Sequence, residues 1–330
     1  MKRYNYILLI IIMDHLPWIE KYRPSSIDDI IGQSEIINCL KKLIENESLP
    51  HFLFYGNPGT GKTSTILALS RVIYGNKFNL MVLKLDASDD RGINTVRDQI
   101  KGFAERENMF NSGVKLIILD EADSMTYDAQ FALRRIIEKY SDTTRFCLIC
   151  NFENKIIPAI KSRCANFRFN SISKDNYVNY LEKICEKEKI KYDNSGLETV
   201  YYLSNGDLRK GINLLQSISM NITKKNKILD EKICYKIAGY PSKKDINKII
   251  TVLVNKNINF KDSLDKLEKY FDNINVSVFI NLIFREIFLN HRNLDNFSKI
   301  ISDMADLEAR VVKSTFSNIF IPALIGIFKN

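Results

Sequence analysis

The residues best suited to chemistry stand in one short run, Gly56-Asn57-Pro58-Gly59-Thr60-Gly61-Lys62-Thr63, followed by Ser64. The spacing fits G-x-x-x-x-G-K-[ST], a loop that wraps a chain of phosphates. Glycines there let backbone N–H groups turn inward around the anion, and the N-terminus of a following helix adds the positive end of its dipole. Lys62 supplies a cation for the β- and γ-phosphates, and Thr63 a hydroxyl for Mg2+. The bare pattern also arises by chance in Gly-rich turns. Here an apolar run, Phe52–Tyr55, leads into it and a helical pattern leaves it, which is the context that gives the pattern meaning.

A second constellation is Leu116-Ile117-Ile118-Leu119-Asp120-Glu121, an apolar strand ending in two acids. Asp120, at the strand tip, suits the shell of the Mg2+ ion; Glu121 suits the orienting and polarising of a water. The two acids are expected to be buried together, which is costly unless a cation or a water network uses them. No Asn-Lys-x-Asp occurs, so the guanine-reading element of a GTPase is missing and ATP is the expected nucleotide. Cys147-Leu148-Ile149-Cys150 is a C-x-x-C inside an apolar strand, Arg145–Cys150. Strand residues i and i+3 face opposite ways, so these sulfurs cannot share a metal and are expected in the core. The six scattered cysteines read as reduced thiols, not as a disulfide framework.

The elements that must position these residues follow from periodicity. Strands are predicted at Phe52–Tyr55, Met81–Leu85, Leu116–Leu119, Arg145–Cys150 and Ala165–Phe169. Helices are predicted at Lys62–Tyr74, Thr95–Glu105 and Ala129–Tyr140. This alternation is that of a parallel α/β sheet. After Asn170 only helical patterns remain, beginning with Lys174–Lys189, Leu197–Ser204 and Leu208–Met220. Asn221–Asp230 and Gly239-Tyr240-Pro241 punctuate them, so three domains are expected at 14–170, 171–238 and 239–330.

A length of 330 residues suits two or three domains. With 45% hydrophobic and 26% charged residues, each can bury a core. A net charge of +9 is compatible with a polyanionic partner, although excess Lys is also an ordinary soluble surface. Near the N-terminus, Ile7–Met13 is far short of the ~20 apolar residues of a membrane helix. It also lacks a small-residue cleavage site. It reads as a short dispensable extension, with Met13 an alternative initiator, and no membrane or secretory role is expected.

The motifs also occur in an order that resembles the small subunits of the replication factor C clamp loaders, which are AAA+ ATPases. Pro17-Trp18-Ile19-Glu20-Lys21-Tyr22-Arg23-Pro24 and Asp29-Ile30-Ile31-Gly32-Gln33 resemble that family's opening segment, and Asp86-Ala87-Ser88-Asp89-Asp90-Arg91-Gly92-Ile93 its second strand and turn. Asp120-Glu121-Ala122-Asp123-Ser124-Met125, Ser162-Arg163-Cys164 and Gly206-Asp207-Leu208-Arg209 resemble its second phosphate motif, its namesake triplet and its second-domain sensor. The resemblance runs from about Leu16 to Gln216 and is faint in the last hundred residues. Leu49–Gly56, Arg145–Asn151 and Met304–Glu308 point to one paralogue within the family.

The resemblance implies an α/β P-loop (AAA+) ATPase domain with a parallel sheet, a small helical lid domain and an all-α collar. It implies that Ile19, Arg23 and Ile31 line the adenine pocket. Asn151 and Arg209 would be sensors of the γ-phosphate, and Arg163 would act in trans on ATP bound by a neighbouring subunit. Arg91, Arg97 and Lys101 would track the DNA backbone, an interaction that needs charge but no base reading. Ordinary solvated-face roles stay open for these three. Ile100 and Phe103 would touch the clamp, with helix core packing equally open. The implied partners are other clamp-loader subunits in a hetero-pentamer, a sliding clamp and primer–template DNA, with ATP and Mg2+ as cofactors. The setting would be the nucleus in a eukaryote, and otherwise the cytoplasm or a viral replication site. Two alternatives stand beside this reading: another AAA+ ring ATPase acting on DNA, and an ATP-binding scaffold that only supplies the trans arginine.

Overall fold

A computed structural model of the chain describes residues 16–87, 93–106, 113–223, 228–268, 270, 276–314 and 319–329. The Met1–Met13 extension therefore lies outside the described residues. The chain divides into two compact units, entering the second at Asp193, returning to the first at Val200 and passing into the second again at Ile228.

The first unit is built on β1 (His51–Gly56), β2 (Val82–Asp86), β3 (Lys115–Asp120), β4 (Thr144–Cys150) and β5 (Cys164–Phe169). All pairs are parallel and the order is β2-β3-β4-β1-β5. The central strands are apolar on both faces, as a parallel sheet covered on both sides requires. On β3, Leu116 and Ile118 join one core layer with Ile37 and Leu40 of α1 (Ser34–Glu45) and Ile66 and Leu69 of α2 (Lys62–Tyr74). Ile117 and Leu119 join the other layer with Ile100 of α3 (Ile93–Glu105) and Leu133 and Ile137 of α4 (Tyr127–Lys139). Cys147 and Cys150 fall in opposite layers, so the two sulfurs lie on opposite faces of the sheet.

Helices α5 (Lys174–Lys187), α6 (Asn194–Ser204) and α7 (Leu208–Thr223) follow. The N-terminal segment is tied to α5 and α7. Trp18 N–H donates to Gln216 Oε1 at 3.1 Å, Tyr22 Oη donates to Glu188 Oε1 at 2.5 Å, and Tyr180 Oη donates to the Tyr22 carbonyl at 2.5 Å. Lys21 also pairs with Glu188, at 2.7 Å. These contacts hold the single helical turn Trp18–Lys21, and with it Ile19 and Arg23, beside the phosphate loop.

The second unit is helical among its described residues: α8 (Glu231–Ala238), α9 (Lys243–Val254), α10 (Phe260–Glu268), α11 (Val276–Asn290), α12 (Phe297–Lys313) and α13 (Phe320–Lys329). Buried residues recur at helical spacing, for example Ile246, Ile249, Ile250 and Leu253 on α9 and Phe279, Ile280, Ile283 and Ile287 on α11. Asp230 and Ser242 cap α8 and α9 by accepting from the N–H groups of Ile233 and Asp245.

Candidate nucleotide site

In open parallel sheets, ligands sit outside the carboxyl ends of the strands. The loop after β1 occupies that place, and its glycines are there for space. At Gly56, φ is +139° and a Cβ would lie 2.2 Å from the Phe169 carbonyl oxygen. At Gly59, φ is +74° and a Cβ would lie 2.1 Å from Oδ1 of Asp207, just before α7. Asn57 Nδ2 donates to Ser171 Oγ at 3.2 Å, and Thr60 Oγ1 to the Asn57 carbonyl at 2.8 Å, which fixes the loop's shape.

Lys62 opens α2 and folds back over the loop. Its Nζ donates to the carbonyls of Gly56 at 2.7 Å and Asn57 at 2.8 Å, and to Asn151 Oδ1 at 3.0 Å. Burial lowers its pKa from 10.5 to about 8, and the Arg209 cation pushes the same way. Thr63 Oγ1 donates to Asp120 Oδ2 at 3.0 Å, joining the loop to the tip of β3. Asn151, at the end of β4, is held from behind. Asp123 Oδ2 accepts from the N–H groups of Asn151 at 3.2 Å and Phe152 at 3.1 Å.

Two adjoining cavities frame this cluster. The larger, about 380 Å3, is lined by Ile19, Arg23, Ile31, Ser64, Lys84 and Arg209 among others. The smaller is lined by Pro58, Lys62, Thr63, Glu121 and Asn151, and both share Gly59, Thr60, Gly61, Asp120 and Arg209. Every residue expected at this chain's own nucleotide lines one of these cavities except Gly56 and Asn57, whose carbonyls accept from Lys62. Arg23 faces the larger cavity while paired with Glu20 at 3.0 Å. Arg209 starts α7 next to Asp207, whose Oδ1 accepts from its N–H at 2.9 Å.

Arg163 lies elsewhere. It directly precedes β5, and β5 pairs with β1 from His51↔Cys164 through to Gly56↔Phe169. Its backbone is therefore at the amino end of the sheet, five strand steps, or about 17 Å, from the end that carries the phosphate loop. Its guanidinium donates to the Ala159 carbonyl at 2.6 Å and pairs with Glu138 Oε1 at 2.5 Å.

Three expectations need correction or placement. The acids at the end of β3 are not buried together: the Asp120 side chain is 19% exposed and Glu121 is exposed. The chain turns away after the strand, and Glu121 adopts φ +54°, a left-handed conformation uncommon for a non-glycine residue. Ile100 and Phe103 do not face outward; at 1% and 8% exposure they pack in the core layer under α3. Lys101 is half-buried on the same helix, whereas Arg91 and the side chain of Arg97 lie outside the described residues.

Sequence reasoning gave no role to Asp123, to Lys84 or to Gln33. Gln33 is buried, and its Nε2 donates to the Asn170 carbonyl at 2.8 Å. An acid three residues beyond the strand-end Asp was a readable signal for Asp123. Nothing local to the chain marked Lys84.

A glycine-bearing loop that opens a helix, a buried lysine and a hydroxyl–carboxylate pair beside two adjoining cavities at the carboxyl edge define a nucleotide-binding P-loop ATPase. The family described as "ATPase family associated with various cellular activities (AAA)" matches residues 52–171, and "RCF1/5-like, AAA+ ATPase lid domain" matches residues 179–220. The solved RuvB Holliday junction branch migration motor of Thermotoga maritima superposes with a TM-score of 0.54 and 14% identity, over 78% of this chain and 89% of that one. That likeness is one of fold. Replication factor C subunit 5 of Homo sapiens is 42% identical over 96% of this chain and 92% of its own length. Replication factor C subunit 3 of Saccharomyces cerevisiae is 45% identical over 72% of this chain and 70% of its own length. The chain belongs to the replication factor C small-subunit family of AAA ATPases. Among the described residues no helix is long and apolar enough to cross a membrane.

Proposed function

We propose that this chain binds and hydrolyses ATP as one subunit of a hetero-pentameric clamp loader that places a sliding clamp on primer–template DNA. The observation that carries this reading is a division of the catalytic set. Lys62, Thr63, Asp120, Glu121, Asn151 and Arg209 surround the chain's own cavity, while Arg163 stands at the opposite end of the sheet. An arginine placed there serves a neighbour's nucleotide, which fits a ring of similar subunits. The scaffold alternative leaves the complete set around the cavity without a use.

Ile19, Arg23 and Ile31 border the base, Lys62 binds the β- and γ-phosphates, and Asn151 and Arg209 sense the γ-phosphate. Glu121 orients the attacking water. The donor set fits Mg2+: Thr63 Oγ1 and Asp120 Oδ2 are hard oxygens 3.0 Å apart. That is the separation of adjacent corners of an octahedron with bonds of about 2.1 Å. Mg2+ held there would neutralise charge on the phosphates. In this reading 14–170 is the ATPase domain, 171–238 the lid and 239–330 the collar. Lys101, with Arg91 and Arg97, follows the DNA backbone, and in a eukaryotic cell the complex is nuclear. Purifying the tagged protein from its own cells tests the assembly. The expected result is four further AAA ATPase subunits and ATP-dependent loading of a clamp onto primed DNA. A homo-oligomer without such partners would overturn it.

The Lys62 pKa gives a second expectation. The cation binds phosphate, and in the free site it is lost as pH rises through about 8. A bound phosphate chain raises that pKa. ATP affinity is therefore full below pH 8 and falls above it, by up to tenfold per pH unit. Calorimetric titration between pH 7 and 9.5 checks this. A flat profile would show that Lys62 does not titrate as the phosphate ligand.

A further inference from the structure

Asp120 Oδ2, the oxygen that accepts from Thr63, has a second partner. Lys84 Nζ, from the edge strand β2, lies 3.6 Å away. The parallel register brings this about, since Lys84 pairs with Ile118 and Asp86 with Asp120. With side chains alternating along a strand, Lys84 stands on the sheet face that carries Ile118, Asp120 and α2. Lys62 spends its three donors on Gly56, Asn57 and Asn151, and Arg23 is paired with Glu20. Among the described residues, Lys84 is the side chain that brings a cation within salt-bridge distance of Asp120. It also lines the larger cavity, and the Lys84 side chain is 42% exposed, so it can leave without breaking packing.

We propose that Lys84 stands in for the charge of Mg2+ in the nucleotide-free site, and that metal and nucleotide enter by displacing it from Asp120. The inference rests on the nucleotide-site reading above and adds a residue to it. Lys84 supplies the cation in ion-pair contact with Asp120, beside the weaker pull of Lys62. The same contact then competes with the metal for one carboxylate oxygen. This sets the free Mg2+ concentration at which tight nucleotide binding appears.

Calorimetry on the full chain tests it, with ATP titrated in EDTA and then at a series of Mg2+ concentrations. In EDTA, Lys84→Met is expected to weaken ATP binding only modestly, by no more than the strength of an exposed ion pair, since one cation of the cavity lining is lost. It should lower the half-effective Mg2+ concentration about two- to fivefold, the strength of an exposed ion pair. Lys84→Arg keeps the charge and is expected to restore the wild-type midpoint. In an Asp120→Asn background, Lys84→Met is expected to change nothing further. An unmoved midpoint in Lys84→Met overturns the proposal. So does a large loss of affinity in EDTA, which would make Lys84 a phosphate ligand. So does a shift that persists in Asp120→Asn, which would reduce the effect to general repulsion. Failure of the wild-type chain to take up ATP in either condition overturns the nucleotide-site reading itself, and this proposal with it.

Discussion

Glu121→Gln is expected to leave ATP affinity unchanged and to slow hydrolysis at this subunit's site by roughly 10²–10⁴, the usual contribution of a positioned general base. The residue is placed for that task by backbone, not by burial. At the end of β3 the chain turns through φ +54° at Glu121, with its N–H donating to Asp120 Oδ1 at 3.2 Å and its carbonyl accepting from Ser124 Oγ at 2.7 Å. A strained position held from both sides points to function more than to stability. Glu121 lines the smaller cavity together with Lys62 and Asn151. The amide keeps shape and hydrogen bonding while removing the base, so binding and turnover separate. Affinity is read by calorimetry and phosphate release by single-turnover kinetics in the assembled complex. Normal release from this site would remove Glu121 from the chemistry.

The parts of the site legible in the sequence are those whose geometry is local. The spacing of Gly56 to Thr63 fixes a loop and the start of α2 within eight residues, and the strand ending in Asp120 announces its own tip. The five strands and helices α2 to α7 are likewise readable, whereas α1 (Ser34–Glu45) went unassigned. Contacts made by register were not readable. Lys84 meets Asp120 only because β2 pairs with β3 in one alignment, and Asp207 presses on Gly59 only once α7 is folded against the loop. The apolar face of α3 stayed ambiguous for a related reason. Ile100 and Phe103 have the spacing of a buried stripe and equally of a docking stripe, and only the sheet beneath them decides between the two. The paired acids misled in the opposite sense. Hydrophobic β3 suggests burial to its end, whereas the left-handed turn at Glu121 lifts the second acid into solvent.

Arg163→Ala is expected to behave as a defect in another subunit's active site. The β1–β5 register places Arg163 at the amino end of the sheet, about 17 Å along the strands from Gly56. Its own cavity is already supplied with Lys62 and Arg209. On the outer side Arg163 is held by Glu138 at 2.5 Å, and Glu138 also holds Arg134 at 3.1 Å, so the guanidinium is presented at a surface formed by α4 and the turn Pro158–Lys161. Exposed ion pairs of this kind add about 0–1 kcal/mol to stability. The mutant is therefore expected to fold and melt like wild type and to bind ATP with unchanged affinity. A guanidinium that meets the charge developing on a transferred phosphoryl group is worth roughly 10³–10⁵ in rate. In the complex, hydrolysis at the neighbouring site should accordingly fall by about 10³ or more, while this subunit's own site turns over normally. Arg163→Ala and Glu121→Gln are introduced separately, and turnover is assigned site by site with neighbours whose phosphate loops are disabled. The two mutants should silence different sites. If both silence the same nucleotide, or if Arg163→Ala slows none, the arginine is structural and the ring does not couple its subunits through this residue.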